Sequence, residues 1–252
     1  MMKEFLQNDL TPIIEEVANP RIGVITLSTD FTIEQDFRKI CHNLPLDIFF
    51  NRIPFINPLT HENYLRMAEH IPEISKQILP GQKIDVIAYG CTSGTIAIGE
   101  NIITNQVHKA KPEATVTTPI TAALKAFNKL SMKKIAVLTP YPKEVNLTVY
   151  DYLRQNNLNI DSFNSFNLSY DSEIAKVSLD SLFEQISKIN LSNVDGLFVS
   201  CTALKIVDII HNVEKEFNTK VISSNQAIIW DCLRILKNKT EVVGYGKLFN
   251  LI

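Results

Sequence analysis

The stretch "DVIAYGCTSGT" (residues 85–95) sets an aspartate before a short apolar run, then a cysteine, a threonine, a serine and a glycine. Nearly the same wording returns at "DGLFVSCTALK" (195–205). Placing Asp85 on Asp195 lays Cys91 on Cys201 and Thr92 on Thr202, all at an offset of 110. The first apolar runs match as well, "VITLS" from 24 lying over "AVLTP" from 136 at an offset of 112. This repetition implies an internal duplication, in which each copy carries a buried strand that ends on a Cys-Thr pair.

Working outward, short β-branched runs bounded by turn residues recur along the chain. They are "RIGVITLS" (21–28), "PLDIFFNRI" (45–53), "KIDVIAYG" (83–90), "ATVTTP" (114–119), "KKIAVLTP" (133–140), "LNIDSFNSF" (158–166), "VDGLFVS" (194–200) and "KVISS" (220–224). Between them lie segments with helical spacing, such as Ile120, Leu124, Phe127 and Leu130 after Pro119 at a first helical position. Strands apolar on both faces that alternate with helices predict parallel sheets covered on both sides. The expected fold is therefore α/β: two pseudo-symmetric Rossmann-like domains, each a four-stranded parallel sheet flanked by helices, with the active site in the cleft between them. The duplication predicts a first domain over 1–120 completed by 225–252, whose helical segment "NQAIIWDCLRIL" packs back on the first unit, and a second domain over 121–224.

Composition narrows the function. Of 252 residues, 45% are hydrophobic and 21% charged, with 25 basic and 27 acidic residues, enough apolar content for a sizeable core and no polybasic stripe for a nucleic-acid backbone. No apolar run approaches the length that crosses a bilayer, and the opening "MMKEFLQNDLTPIIEEV" lacks the regions of a signal peptide. The cytoplasm is the expected compartment, with neither membrane nor nucleic acid as a partner. Four cysteines (Cys41, Cys91, Cys201, Cys232) are too few for a disulfide scaffold and are read as thiols.

Cys91 and Cys201 fall at the carboxyl ends of predicted strands, where open parallel sheets bind ligands beside helix N-termini. A helix N-terminus favours a thiolate, so each half is expected to offer a reactive sulfur whose pKa is drawn toward neutrality. Backbone amides there, with the hydroxyls of Thr92, Ser93 and Thr202, would hold a carboxylate. Two thiols facing each other across a pseudo-dyad suit racemisation or isomerisation, one taking a proton or adding to carbon while the other protonates. The competing reading is a pair of buried packing cysteines; it accounts less well for the repeated Cys-Thr pair than for Cys41 and Cys232 inside helical patterns. His42, His61, His70, His108 and His211 are scattered, CxxC is absent, and no zinc site is expected. Neither GxGxxG nor GxxxxGK[ST] nor GxSxG occurs. Arg52 is read as a surface ion pair, with a distal carboxylate as the alternative.

In this order, "GVITLSTDFTIEQDF", "VIAYGCTSGT", "VLTPYPKEVN", "FVSCTALKIVDII" and "VISSNQAIIWDCLR" resemble the Asp/Glu racemase superfamily, in its maleate isomerase and arylmalonate decarboxylase branch. The resemblance implies that Cys91 is the thiol that attacks or deprotonates the substrate carbon and that Cys201 serves the opposite face. It implies that Thr92, Ser93, Thr202 and Tyr141 contact a substrate carboxylate, and that no metal, pyridoxal phosphate or nucleotide cofactor is needed. A cofactor-independent isomerase or racemase of a small carboxylic acid is the expected function, and a homodimer the expected assembly. One alternative is a decarboxylase or lyase with Cys201 as proton donor, since arylmalonate decarboxylases keep only the second cysteine. The other is a non-catalytic carboxylate-binding module. One position departs from the pattern: maleate isomerases carry an asparagine after the first strand, where this chain has Asp30. An ionised Asp30 at the substrate would disfavour maleate and favour an amino-bearing or cyclic nitrogen compound, as among the ectoine-utilisation relatives; capping of the following helix is the alternative role.

Overall fold

A computed structural model describes residues 7, 9–16 and 18–251. The opening segment read above for a leader includes residues 1–6, 8 and 17, which lie outside the described residues. The first half runs β1 (Arg21–Leu27), α1 (Ile33–Ile40), β2 (Asp47–Ile53), α2 (His61–Arg66), α3 (Ile71–Gln77), β3 (Val86–Gly90), α4 (Thr92–Ile98), α5 (Glu100–His108) and β4 (Thr115–Thr117). The second runs α6 (Pro119–Lys129), β5 (Lys134–Thr139), α7 (Lys143–Gln155), β6 (Asn159–Ser165), α8 (Asp171–Ile174), α9 (Leu179–Ser187), β7 (Gly196–Val199), α10 (Ile210–Glu216), β8 (Val221–Ser223) and α11 (Ser224–Ile235).

All eight expected strands form two four-stranded parallel sheets, ordered β2-β1-β3-β4 and β6-β5-β7-β8. The identical order is what a duplication predicts. The central strands β1, β3, β5 and β7 are buried almost throughout, so their Val, Ile, Leu and Phe side chains face helices on both sides and need no polar alternation. The repeated aspartates have a local reason. Asp85 accepts the Arg21 amide at 2.8 Å and Asp195 accepts the Lys133 and Lys134 amides at 2.8 Å. Each carboxylate thus fixes the start of its own sheet by pairing the first amides of the neighbouring central strand.

Helix starts follow the expected chemistry. Thr118 caps α6 with Pro119 at its first position, and Ser223 and Gln226 form a reciprocal capping box on α11. Helix α11 is buried from Ser224 to Leu233 and packs on α6, α1, β3 and β4 as well as on β8, so the chain end reaches back to the first sheet. Helix α2 passes through a 3-10 turn at Met67–His70 into α3. No helix among the described residues is long and apolar enough to cross a membrane.

Candidate active site

In the order 2-1-3-4 the chain leaves in opposite directions from β1 and β3, and a crevice opens beyond their carboxyl ends. The segment after β1 carries Thr29 and Asp30, and β3 runs into Cys91. In the second half the same positions, after β5 and β7, carry Tyr141 and Cys201. Both crevices open onto one place. Each sulfur feels the charges of Asp171 and Asp30, and Tyr64 and Tyr141 each lie close to both. The two halves are pinned there by a backbone bond from the Leu59 amide to the Ser169 carbonyl, 3.0 Å, joining residues related by the repeat offset of 110.

Cys91 is the N-cap of α4, and its Sγ accepts the Gly94 amide at 3.2 Å. Glycine is needed at 94: an added Cβ would lie 2.7 Å from the Cys91 sulfur and 2.8 Å from the Met67 methyl. We expect Gly94→Ala to lower stability by about 1–3 kcal/mol and to change the rate of alkylation of Cys91 by iodoacetamide, read by mass spectrometry. Unaltered labelling and melting would show that the amide does not hold the sulfur.

Cys201 is held differently. It has φ 151°, a backbone region that non-glycine residues rarely adopt. Its amide donates to Ser224 Oγ at 3.0 Å, and its Sγ accepts the Ala203 amide at 3.4 Å. Ser224 Oγ also accepts the Thr92 hydroxyl at 2.8 Å. One serine at the start of α11 therefore couples the residue after Cys91 to the backbone of Cys201. The Tyr141 hydroxyl lies at the Cys201 sulfur and the Ser93 hydroxyl at the Cys91 sulfur.

The remaining predicted residues are present, with roles that geometry refines. Asp30 Oδ1 accepts the Thr32 and Ile33 amides at 2.7 and 2.9 Å, and its Oδ2 accepts the Thr202 hydroxyl at 2.8 Å. Asp30 thus caps α1 and ties it to the Cys201 segment. The hydroxyls of Thr92 and Thr202 already donate within the protein, which leaves, of the predicted residues, Ser93 and Tyr141 as donors for a ligand, beside the free first-turn amides of α4. Arg52 donates to the carbonyls of Leu27 and Asp30, at 3.2 and 2.8 Å, and pairs with Glu34 at 3.2 Å, bracing the segment after β1.

Two residues escaped the sequence reading. Tyr64, on α2, has its hydroxyl buried beside Ser93 with no hydrogen-bond partner among the described residues. Asp171, at the start of α8, is buried, accepts the Thr29 hydroxyl from the opposite half, and its charge raises both thiols. Neither sits in a local motif: Tyr64 gains its environment when α2 packs on α4, and Asp171 only when the halves meet.

The expectation of thiols drawn toward neutrality is corrected by the structure. Burial pushes the Cys91 thiol up to about 12, with Asp171 and Asp30 adding to the rise against the Gly94 amide and the Ser93 hydroxyl. Burial likewise drives Cys201 well above its ordinary range, aided by Asp171 and Asp30. The dipole of short α4 is outweighed by desolvation and two carboxylates. Burial also raises Asp171 to about 6, opposed by the Thr29 hydroxyl.

Cys41 and Cys232 are buried in helical packing, as read, and burial raises both thiols. His42, His61, His70 and His211 are exposed. Among the described residues no group of three or more His, Cys, Asp or Glu could hold a metal ion. A surface cavity of about 700 Å³ lies at the other end of the first sheet, beside Arg21, Lys83 and Asp85. The cysteine centre is closed to solvent, with Cys91 and Cys201 only 4% and 5% exposed.

Against known proteins, the arylmalonate decarboxylase family model matches residues 55–249. The chain is 23% identical to a maleate isomerase of Alcaligenes faecalis over 251 residues, covering 91% of this chain and 96% of that protein. It is 25% identical to an arylmalonate decarboxylase of Bordetella bronchiseptica, covering 94% and 99%. Among solved structures, a cysteine-to-serine mutant of the Nocardia farcinica maleate cis-trans isomerase with a covalently bound succinylcysteine intermediate superposes with TM-score 0.85 at 20% identity, covering 92% of this chain and 98% of that one. A family match that spans most of the chain, together with a shared two-sheet fold, places this protein in the arylmalonate decarboxylase family, within the branch of the Asp/Glu racemase superfamily that includes the maleate isomerases.

Proposed function

We propose that this chain is a cofactor-independent isomerase or racemase of a small carboxylic acid, with Cys91 and Cys201 acting on opposite faces of the substrate. The observation that carries this reading is the placement of two sulfurs at equivalent strand ends of duplicated halves, within one buried set of neighbours. The relatives named maleate isomerase, one bearing a succinyl group on a cysteine, support it. The same logic divides the chain into 1–120 with 225–252 and 121–224, each half supplying one thiol.

Two routes fit the geometry. In proton transfer, one thiolate takes the proton beside the carboxylate, and the electron pair left on carbon spreads into the carboxylate. Ser93, Tyr141 and the first-turn amides of α4 receive that charge, and the other thiol delivers its proton to the opposite face. The thiolate and thiol exchange places, and nothing else is consumed. In cis-trans isomerisation, the Cys91 thiolate bonds to one carbon of the double bond while Cys201 protonates the other. Rotation about the new single bond follows; Cys201 then recovers the proton and the carbon–sulfur bond breaks.

Proton NMR in heavy water, with a panel of small mono- and dicarboxylates, tests the reading. Enzyme-dependent deuterium uptake or interconversion of isomers is the expected result. No change in any acid of the panel would defeat it. Release of carbon dioxide from substituted malonates, without exchange in simple acids, would instead favour the decarboxylase reading that the family match keeps in view.

A further inference from the structure

We infer that Ser224 is a positioning residue for both thiols. It holds the Cys201 backbone at the angle that sets where that sulfur lies, and through the Thr92 hydroxyl it keeps the first turn of α4 in register with it. This inference rests on the two-thiol reading and names a residue which that reading needs. Cys91 is placed by its own half. Its φ of −145° is ordinary extended backbone, its amide donates to the Tyr89 carbonyl at 3.0 Å, and α4 begins at the next residue. The Cys201 segment has no such support. No helix or strand forms between β7 and the 3-10 turn at Val207–Ile209, and φ at Cys201 is 151°. A residue persists in such a conformation only where its surroundings impose it.

The first turn of α11 supplies that constraint. Ser224 Oγ accepts the Cys201 amide at 3.0 Å, and the Asn225 side-chain amide donates to the Thr202 carbonyl at 2.7 Å, so the Cys201–Thr202 stretch is gripped at both ends. Ser224 and Asn225 are both 0% exposed, and the capping box between Ser223 and Gln226 fixes the turn that carries them. The duplication is broken here. The first residue after β4 is Thr118, whose hydroxyl meets that of Thr121 in its own helix at 2.9 Å; the first residue after β8 is Ser224, whose hydroxyl reaches both strand ends. The half whose cysteine lacks a following helix is the half that carries such a residue.

Two groups that act on opposite faces of one carbon must keep their separation and their aim, and a misplacement of about 1 Å costs about a hundredfold in rate. Ser224 Oγ is one atom bonded both to the backbone of Cys201 and to the residue after Cys91, so it sets the two strand ends against a common point.

Iodoacetamide carries no carboxylate and reads each sulfur separately when the labelled peptides are quantified by mass spectrometry. Cys41 and Cys232 report general loosening in the same molecule. In Ser224→Ala the Cys201 amide loses its acceptor, the backbone relaxes and the sulfur leaves the Ala203 amide. Labelling of Cys201 is expected to slow by about fivefold, the scale of one lost hydrogen bond, and labelling of Cys91 to slow with it. Thr92→Val breaks only the link to α4 and is expected to slow Cys91 alone. For an acid that the parent interconverts, Ser224→Ala is expected to lower kcat about a hundredfold with KM little changed, since Ser224 acts through the two backbones. Cys91 or Cys201 labelled at the parent rate or faster in Ser224→Ala would overturn the inference, as would a parallel change at Cys41 and Cys232. If Ser224→Ala does not fold, Thr92→Val decides: Cys91 labelled at the parent rate defeats the positioning role. Parent turnover lost in Cys91→Ala yet retained in Ser224→Ala would uphold the thiol chemistry and defeat that role. Slowed labelling as expected, with no acid interconverted by the parent, would sustain the positioning role and defeat the two-thiol reading.

Discussion

Cys91→Ala and Cys201→Ala are each expected to reduce turnover by about a thousandfold or more, and the double variant to be scarcely worse than either single one. The reason lies in how the two sulfurs divide the work. Inverting a carbon, or rotating about a double bond, needs a group on each face, so a single thiol completes only half of the reaction. Groups that act as a unit lose their joint effect when either is removed, which is why the losses do not add. The half-reaction is separately visible: a thiol left alone can still wash a substrate proton into heavy water on its own face without forming the other isomer. Cys41→Ser and Cys232→Ser supply the contrast, since both cysteines are buried in packing and should lower stability while sparing turnover. Full activity in Cys91→Ala would overturn the two-thiol mechanism. Loss confined to Cys201→Ala would point to a decarboxylase.

The second large effect concerns stability. Asp36 on α1 is 2% exposed, and its Oδ2 accepts the Asn225 side-chain amide at 2.8 Å. Burial raises its carboxyl from 3.8 to about 7, against the Asn225 bond and the charge of Lys39. A carboxyl whose pKa rises on folding holds its proton more tightly in the native state. Between about 4 and 7 the unfolded chain has released a proton that the folded chain retains, so the unfolding free energy falls as pH rises through that window and levels off above it. A shift of this size corresponds to about 4 kcal/mol at 1.36 kcal/mol per unit. Asp36→Asn removes the ionisation and keeps the shape. It should melt near the parent at about pH 4 and be more stable by up to about 4 kcal/mol at about pH 8. Parallel stability curves for parent and variant across that range would show that Asp36 does not titrate between them. Asp171, raised to about 6, contributes a smaller fall of the same sign.

Much of the architecture was legible because its signals are local and repeated. Eight short β-branched runs, Pro119 at a helix start, and two Cys-Thr pairs at an offset of 110 each announce themselves within a few residues. Even the paired aspartates at 85 and 195 proved to have the same duty at the starts of the central strands of the two sheets. What stayed hidden depends on contact between distant segments. Asp171 reads as an ordinary helix-start aspartate until Thr29 donates to it from the other half. Tyr64 reads as a helix residue until the fold buries its hydroxyl by Ser93. The thiol acidity was misjudged for the same reason. A helix start beside each cysteine can be read along the chain, whereas desolvation and two converging carboxylates arise only on closure.

The unusual backbone angle at Cys201 carries a consequence for anyone who would engineer this protein. Such a conformation costs an ordinary residue about 1–3 kcal/mol and costs glycine almost nothing. Random substitution screened for heat resistance alone would therefore tend to replace this cysteine with glycine, gaining robustness while discarding a sulfur. Position 201 is a place where durability and chemistry ask for different amino acids, and libraries aimed at a hardier variant should hold it fixed.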